Sequence, residues 1–527
     1  MRRRAWPLLA APLAVLAAFF ALPLAAVLAR AAGDASAWAW IATSPFVSSR
    51  LALAFGQALA SVALTLAVAV PLAWLHHARR VPFSRLQLAV HAAPFVLPVF
   101  VVVFGLQALL GDHLRVFGPL GAVVLAHAYY NYGFAARLLH AALERRPRRL
   151  EDAARVLGAP PLAAGLRTTL PLLAPAAGAV ALLVFLFSFT SFGVVLFLGD
   201  GRVSTLDTLI YENLAGSFPT TGRAAALGAL QLGLNLVLLL VYVALARRAA
   251  RTPREAPRPA PRAGFAAMTL SIAALGVALA PPAAVLVGAF RVRGAWTLEA
   301  WRALADRAHP SHLGGFDLGL ALGLSIGYAL ATAFLALALA ALLAYGLARS
   351  RGATRALVEA AATLPLGTSS VLLGLGYALA FGVGGTPDLR GTYAVVLLAH
   401  TLVAFPFAAR ALVPALDAHD RRLDDAAAVL GAKPSEVARR IHLPLLRAPL
   451  AVAGGLAAAF SLGDFGASLI LMRPDTMSLS VWIARHGGLG SFDPILRAQS
   501  MALTAVLMLL TIAAFLVAER FRAEGDA

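Results

Sequence analysis

Apolar residues in this chain neither alternate nor recur at helical spacing; they come in long runs. These cover 6–28, 51–75, 86–110, 120–142, 172–198 and 224–246, then 265–290, 318–347, 357–381, 393–416, 448–471 and 498–517. A helix needs about 20 such residues to cross roughly 30 Å of hydrocarbon. Inside lipid the backbone must satisfy its own hydrogen bonds, so the runs are read as helices. The pattern predicts an all-α polytopic membrane protein with twelve transmembrane helices, six on either side of one polar interval.

That interval, 247–263, holds Pro253, Pro257, Pro259 and Pro261 among six arginines. Proline at this density cannot continue a helix, and the segment reads as a basic, extended, solvated linker. It separates a first transmembrane domain, 1–246, from a second, 264–527. Two other polar intervals repeat each other. Leu150-Glu151-Asp152-Ala153-Ala154-Arg155-Val156-Leu157-Gly158-Ala159, followed by Leu170-Pro171, returns 273 positions later. The second copy is Leu423-Asp424-Asp425-Ala426-Ala427-Ala428-Val429-Leu430-Gly431-Ala432, followed by Leu443-Pro444. The same offset carries His127 to His400, Phe134 to Phe407, Arg137 to Arg410, Phe187-Ser188 to Phe460-Ser461 and Phe192-Gly193 to Phe465-Gly466. Further upstream the register slips by two, so Pro94 matches Pro365 and Gly105 matches Gly376. With an even number of spans in each half, the copies share one orientation. Two parallel six-helix repeats about an axis normal to the membrane follow, with a path between them.

The repeated intervals, 145–171 and 418–444, predict helical knobs. Leu150 to Leu157 suits a short helix closed by Gly158, with Glu151 and Asp152 at its start, where the helix dipole favours acids. Pro161 suits the first turn of a second short helix, expected to end near Leu170-Pro171. The small Ala153 and Ala154 allow another surface close approach.

Composition agrees with this reading: 60% of the 527 residues are hydrophobic and 13% charged, with a mean hydropathy of +0.81. The net charge of +19 would point a soluble domain towards nucleic acid, but here the arginines sit in short loops, as positive-inside topology requires. Nucleic acid is therefore not expected as a partner. Arg145, Arg146, Arg148, Arg149, Arg155 and Arg167 flank the first knob, and Arg421, Arg422, Lys433, Arg439, Arg440 and Arg447 the second; 200–222 has only Arg202 beside Asp200, Asp207 and Glu212. Both knobs and both termini are placed in the cytoplasm. Arg2-Arg3-Arg4 before 6–28 reads as the flank of a retained helix, since the run exceeds a signal-peptide core. The absence of cysteine excludes disulfides, thiolate metal sites and cysteine nucleophiles.

Glu/Asp-Asp-Ala-Ala, then Gly, then Leu-Pro a dozen residues on, resembles the EAA loop of ABC importer permeases. Two such loops in one chain resemble the fused permeases of ferric-iron and thiamine importers, over nearly the whole length. Ala126-His127 through Asn131 to Arg137, with Ser461-Leu462-Gly463-Asp464-Phe465-Gly466, is most similar to the thiamine type. The resemblance implies the type I importer permease fold in the bacterial cytoplasmic membrane and two copies of a cytoplasmic ABC ATPase subunit docking on the knobs. It also implies a periplasmic or surface solute-binding protein. It would assign coupling to Glu151, Asp152, Ala153, Ala154, Gly158, Leu170 and Pro171, and to Asp424, Asp425, Ala426, Ala427, Gly431, Leu443 and Pro444. The family's leading Glu is Asp424 in the second copy, which keeps the charge on a shorter arm. A phosphate-binding loop needs Gly-Lys-Ser/Thr, and the one lysine, Lys433, precedes Pro434. The chain is thus expected to be a transport subunit rather than an enzyme and to bind no cofactor, with ATP and Mg on the partner.

For the path, Asp464 stands out as an acid within an apolar run. Such a residue costs roughly 2.5–3.5 kcal/mol at mid-helix and should face the bundle interior or water. It would line the path or hold a helix break; its mate in the first half is Ser191. Ser188, Ser461, Tyr130 and Asn131 are further candidates. A cationic solute such as thiamine or a metal cation would suit Asp464. His127 and His400 are read as residues that pack or hydrogen-bond to backbone rather than as metal ligands. The rival class, an ion-coupled secondary transporter, should carry more intramembrane charge than Asp464 alone.

Overall fold

A computed structural model describes residues 5–79, 81–111, 113–145, 149–216, 219–250, 261–306, 317–382, 389, 391–489 and 493–525. Residues 251–260 of the linker and Arg2, Arg3 and Arg4 lie outside the described residues. Among the described residues the chain is all-α apart from one hairpin, in which Arg291 pairs with Trp296 and Val292 with Ala295. Its two turn residues, Arg293 and Gly294, have φ of 51° and 85°, the left-handed backbone that a tight two-residue turn requires.

Among the described residues eight helices are individually long and apolar enough to span a bilayer, and counting each of three bent pairs as one span gives up to eleven. The run 120–142 is helical over Gly118–Arg145, but His127, Tyr129, Tyr130 and Asn131 make it too polar to qualify. The twelve runs are thus not all single straight helices. The run 86–110 is two helices, Ser84–Phe95 and Val99–Leu110, meeting at 95°; its repeat, 357–381, is Gly352–Gly367 and Ser370–Ala380, meeting at 100°. Pro94 and Pro98 break the first and Pro365 the second, because proline lacks the N–H and crowds the preceding turn. Ser369 restarts the second helix by accepting from the Leu372 N–H at 3.0 Å. Runs 172–198 and 448–471 also divide, into Leu170–Phe189 and Gly193–Leu198, and into Arg447–Gly463 and Gly466–Leu471. All four breaks fall at matching places in the two halves.

Packing between the halves is reciprocal. The first helix of each half lies between the last helix of its own half and the third of the other. Trp6–Ala32 packs on Ser370–Ala380 and on Leu318–Leu347, while Phe265–Gly288 packs on Val99–Leu110. Glycine permits the closest approach. A Cβ at Gly105 would stand 2.6 Å from the Pro281 carbonyl oxygen, and one at the equivalent Gly376 would stand 3.0 Å from Pro23. Tyr129 donates to the Ala278 carbonyl at 2.6 Å along the same seam. Overfilling a packed contact costs about 1–3 kcal/mol. Gly105→Ala should therefore lower the unfolding temperature in detergent, and Gly376→Ala should lower it less; an equal or reversed order would contradict the packing.

The helices sort by burial. In its most apolar 18-residue stretch Tyr393–Asp417 has 67% of its residues buried and runs through the centre, whereas the matching stretches of Thr221–Ala250 and Phe265–Gly288 have 22% and lie at the rim. Leu240, Leu330 and Phe334 point outward. Surrounding lipid makes such apolar exposure favourable, so the interior instead holds small residues, Ala54, Ala58, Ala336 and Ala340 among them, that let helices close up.

Candidate translocation path and coupling surface

Each knob begins with an amphipathic helix, Arg149–Val156 in the first half and Arg421–Val429 in the second. Both end in the same motif. Gly158 has φ of +86° and Gly431 of +79°, a conformation that costs other residues about 1–2 kcal/mol. Gly158 N–H bonds to Arg155 O and Ala159 N–H to Ala154 O, both at 3.0 Å; Gly431 to Ala428 and Ala432 to Ala427 repeat them, also at 3.0 Å. This pair of bonds satisfies the last helical carbonyls. It also turns the preceding side chains outward: Val156 and Leu157 are 86% and 87% exposed, Val429 and Leu430 87% and 86%. Two matched apolar tips result.

The first acid of each motif faces inward, whereas Asp152 and Asp425 are exposed. Glu151 is buried, accepts from Arg155 at 2.7 Å and from the Thr169 hydroxyl at 3.1 Å. Asp424 accepts from His419 Nε2 and His442 Nε2, both at 2.9 Å. Burial raises its carboxyl pKa, but the two imidazole hydrogen bonds outweigh that and hold it below the usual carboxylate range. Thr169 and His442 are repeat mates. The first acid of each copy therefore braces the knob against the helix that follows it, and the apolar tip is what the knob presents. Asp152, Ala153 and Ala154, like Asp425, Ala426 and Ala427, lie in the knob helices.

The second short helix begins at Pro161, and at Pro434 in the repeat. It does not end at Leu170-Pro171. A π-turn, Gly165–Thr169, carries it straight on, so that Arg167–Phe189 is one span. Pro171 has no N–H to donate into the preceding turn, and a wider turn accommodates that loss. In the repeat a π-turn, Ala438–His442, is followed by Leu443–Leu445, and a 73° bend separates this from Arg447–Gly463.

At the seam between the halves lies a cavity of about 290 Å³, near the lower limit of roughly 300 Å³ for small-molecule sites. The two bends and the two helix breaks supply equivalent walls: Phe95 to Val99 face Leu366 to Ser370, and Ser191-Phe192-Gly193 face Asp464-Phe465-Gly466. Phe192 and Phe465, repeat mates, stack at 5.3 Å with 21° between their planes, and Phe100 meets Phe465 edge-on at 5.3 Å. Close packing of the breaks leaves no room at Gly466, where a Cβ would reach 2.3 Å from Ser370 Oγ.

Of the candidates for the path, Tyr130, Asn131, Ser191 and Asp464 line this cavity. Ser188 and Ser461 do not, because they lie on the other side of their helices. Ser188 gives its carbonyl to Gln57 Nε2 at 2.9 Å, and Ser461 Oγ meets His400 Nδ1 at 2.9 Å. Asp464 follows the last residue of Arg447–Gly463 and caps the next helix, accepting from the Ser468 N–H at 3.1 Å and hydroxyl at 2.7 Å, with His400 Nε2 at 3.3 Å. It both lines the cavity and holds the break. In the first half His127 Nδ1 meets Gln57 Oε1 at 3.1 Å. Asp464→Ala leaves this buried set without its acceptor, at a cost of about 1–3 kcal/mol. Asp464→Asn keeps an acceptor; the asparagine variant should be recovered folded at near wild-type yield and the alanine variant should not.

Asn235 and Thr368 belong to the cavity wall as well. Neither stands in a repeated motif, so no sequence signal marks them. His127 Nε2, Asn131 Oδ1, Thr368 Oγ1 and the whole Asn235 amide have no hydrogen-bond partner among the described residues. At the far end from the knobs Asp200 and Glu212 are exposed. Asp207 is fully buried and accepts from Ser369 Oγ at 2.6 Å, so it is unavailable to an external partner.

A duplicated bundle with a cavity on its axis that mixes polar and aromatic walls, and two matched projecting knobs, defines a membrane transport subunit. Residues 69–251 match the family model described as binding-protein-dependent transport system inner membrane component. The chain is also 30% identical to the thiamine transport system permease protein ThiP of Brucella abortus (strain 2308) over 497 residues, covering 88% of this chain and 86% of that one. ThiP of Escherichia coli (strain K12) is 28% identical, with 86% and 85% covered, and that of Salmonella typhimurium (strain LT2) 27%, with 94% and 91% covered. The chain belongs to the binding-protein-dependent ABC importer permeases of the inner membrane, a family whose members work with an ATPase and a solute-binding protein.

Proposed function

We propose that this chain forms the translocation path for thiamine or a closely similar cationic heteroaromatic solute. One ATPase copy docks under each of its two knobs, and the knobs and both termini lie in the cytoplasm. The matched pair of exposed apolar tips, Val156-Leu157 and Val429-Leu430, is the observation that carries the docking. For the solute, the support is the similarity to thiamine permeases over most of the chain and a cavity that pairs the Asp464 carboxylate with aromatic rings and free amide groups. A carboxylate and aromatic faces both attract a cation, while unpaired amides suit ring nitrogens.

In this reading ATP closes the ATPase dimer, the knobs are drawn together, and the halves rock so that the cavity changes the side to which it opens. ATP binding shifts that equilibrium only by its difference in affinity for the two states. The test is uptake into liposomes containing the chain, its ATPase and its binding protein, with labelled thiamine and ferric iron compared. ATP-dependent thiamine accumulation is expected. Ferric uptake in its place would overturn the solute, and accumulation by the chain alone on an ion gradient would overturn the class.

A further inference from the structure

The second knob carries a constellation that the first lacks. His419 lies two residues past the end of the central helix Tyr393–Asp417, Asp424 lies in the knob helix, and His442 closes the π-turn Ala438–His442. One ligand atom from each, two imidazole nitrogens and a carboxylate oxygen, can be chosen so that all three lie within 4.8 Å of one another. Both Nε2 atoms stand 2.9 Å from Asp424 Oδ1. The imidazoles are nearly buried, at 8% and 9% side-chain exposure, while Asp424 is 34% exposed, which leaves an approach from the aqueous side. His442 Nδ1 is held by the Tyr345 hydroxyl at 3.0 Å, the outer-shell contact that fixes ring orientation in histidine metal sites. In the first half the mates of Asp424 and His442 are Glu151 and Thr169, which hydrogen-bond to each other but supply no imidazole.

We propose that His419, Asp424 and His442 form a binding site for one zinc-class divalent transition ion per chain, which clamps the second knob to the membrane helices on either side of it. Two imidazoles and a carboxylate are the nitrogen and oxygen set such ions take, with a fourth position open to water. A four-coordinate ion with bonds of roughly 2.0–2.1 Å sets its ligands about 3.3–3.4 Å apart, so the 2.9 Å separations have to open by about 0.4–0.5 Å to admit it. Opening the two hydrogen bonds frees both Nε2 atoms and the carboxylate to bind metal, each imidazole staying neutral with its proton moved to Nδ1, where in His442 the Tyr345 hydroxyl accepts it. The ion would join the end of the central helix, the knob and the exit helix, and through Tyr345 the helix Leu318–Leu347. The first knob has no such clamp, so the ion acts on one knob of the pair.

The experiment is titration of the purified full chain, in complex with its ATPase, with Zn²⁺ against a competing chelator. A single site with a Kd below about 1 µM is expected, weakened at least about 100-fold in His419→Gln and in His442→Gln and about 10-fold in Tyr345→Phe. In the first half His140 packs against His76 and His77 at 6.4 Å between ring centres, and His140→Gln should leave the affinity unchanged. Cobalt(II) loading of the wild-type complex provides a check independent of variant folding, through the intense visible bands of a four-coordinate ion. No binding tighter than about 10 µM, equal affinity in the His419→Gln/His442→Gln double variant, or a purely six-coordinate cobalt spectrum would each overturn the site.

Discussion

A chain carrying Leu157→Glu together with Leu430→Glu loses ATP-driven uptake and no longer copurifies with its ATPase, yet inserts in the membrane at wild-type level. Each leucine is nearly fully exposed at a knob tip, and burying one in a partner's groove contributes about 1.5–3 kcal/mol. Two tips give about 3–6 kcal/mol, and at 1.4 kcal/mol per tenfold that is roughly 100-fold to 10,000-fold in association; placing a carboxylate in the groove adds to the loss. Neither side chain supports the knob's own fold, because the cap that shapes it lies in Gly158 and Gly431 and in backbone bonds. Pull-down with the ATPase and proteoliposome uptake are the measurements. Single variants should retain partial association through the other knob. Undiminished uptake by the double variant would remove the tips from the coupling surface.

The second large effect concerns Phe192 and Phe465. Their stacked rings close the axis at the cavity, with Phe100 and Phe197 packed around Phe465 at 5.3 and 5.9 Å. Phe192→Ala with Phe465→Ala removes both halves of the seal, so preloaded solute should escape from liposomes without ATP. Each change also costs about 3–5 kcal/mol as a buried Phe→Ala truncation, so the unfolding temperature must be followed in parallel. The milder Phe→Leu pair, which keeps most of the volume, should stay tight. A stable alanine pair that remained impermeable would show that the barrier lies elsewhere.

What the sequence made readable depended on how local the signal was. The knobs were legible because Gly158, Gly431 and the prolines after them act within a few residues. The membrane helices were legible from run length alone. The right-angled bends were not, although Pro94, Pro98 and Pro365 cause them, because a proline inside an apolar run is also compatible with a spanning helix kept intact by its neighbours. Which helix touches which was hidden altogether: a helix apolar on every side gives no periodicity from which to read its buried face. The pairing of His400 with Asp464 joins residues far apart in sequence, and the direction of Ser188 and Ser461 depends on a helix rotation that composition does not encode. Repetition was the strongest long-range clue. It marked Phe192 and Phe465 as equivalent, but only the folded chain shows them in contact.

The reciprocal first helices set a limit on how such a machine can be built. Trp6–Ala32 and Phe265–Gly288 each fill a wall in the opposite bundle, so a gene cut within 251–260 would yield two fragments, neither finished until it lends a helix to the other and borrows one back. Any rocking of the bundles has to flex these two crossed straps near Pro23 and Pro281. The joint that keeps the two parts from drifting asunder is therefore also the spring against which they turn.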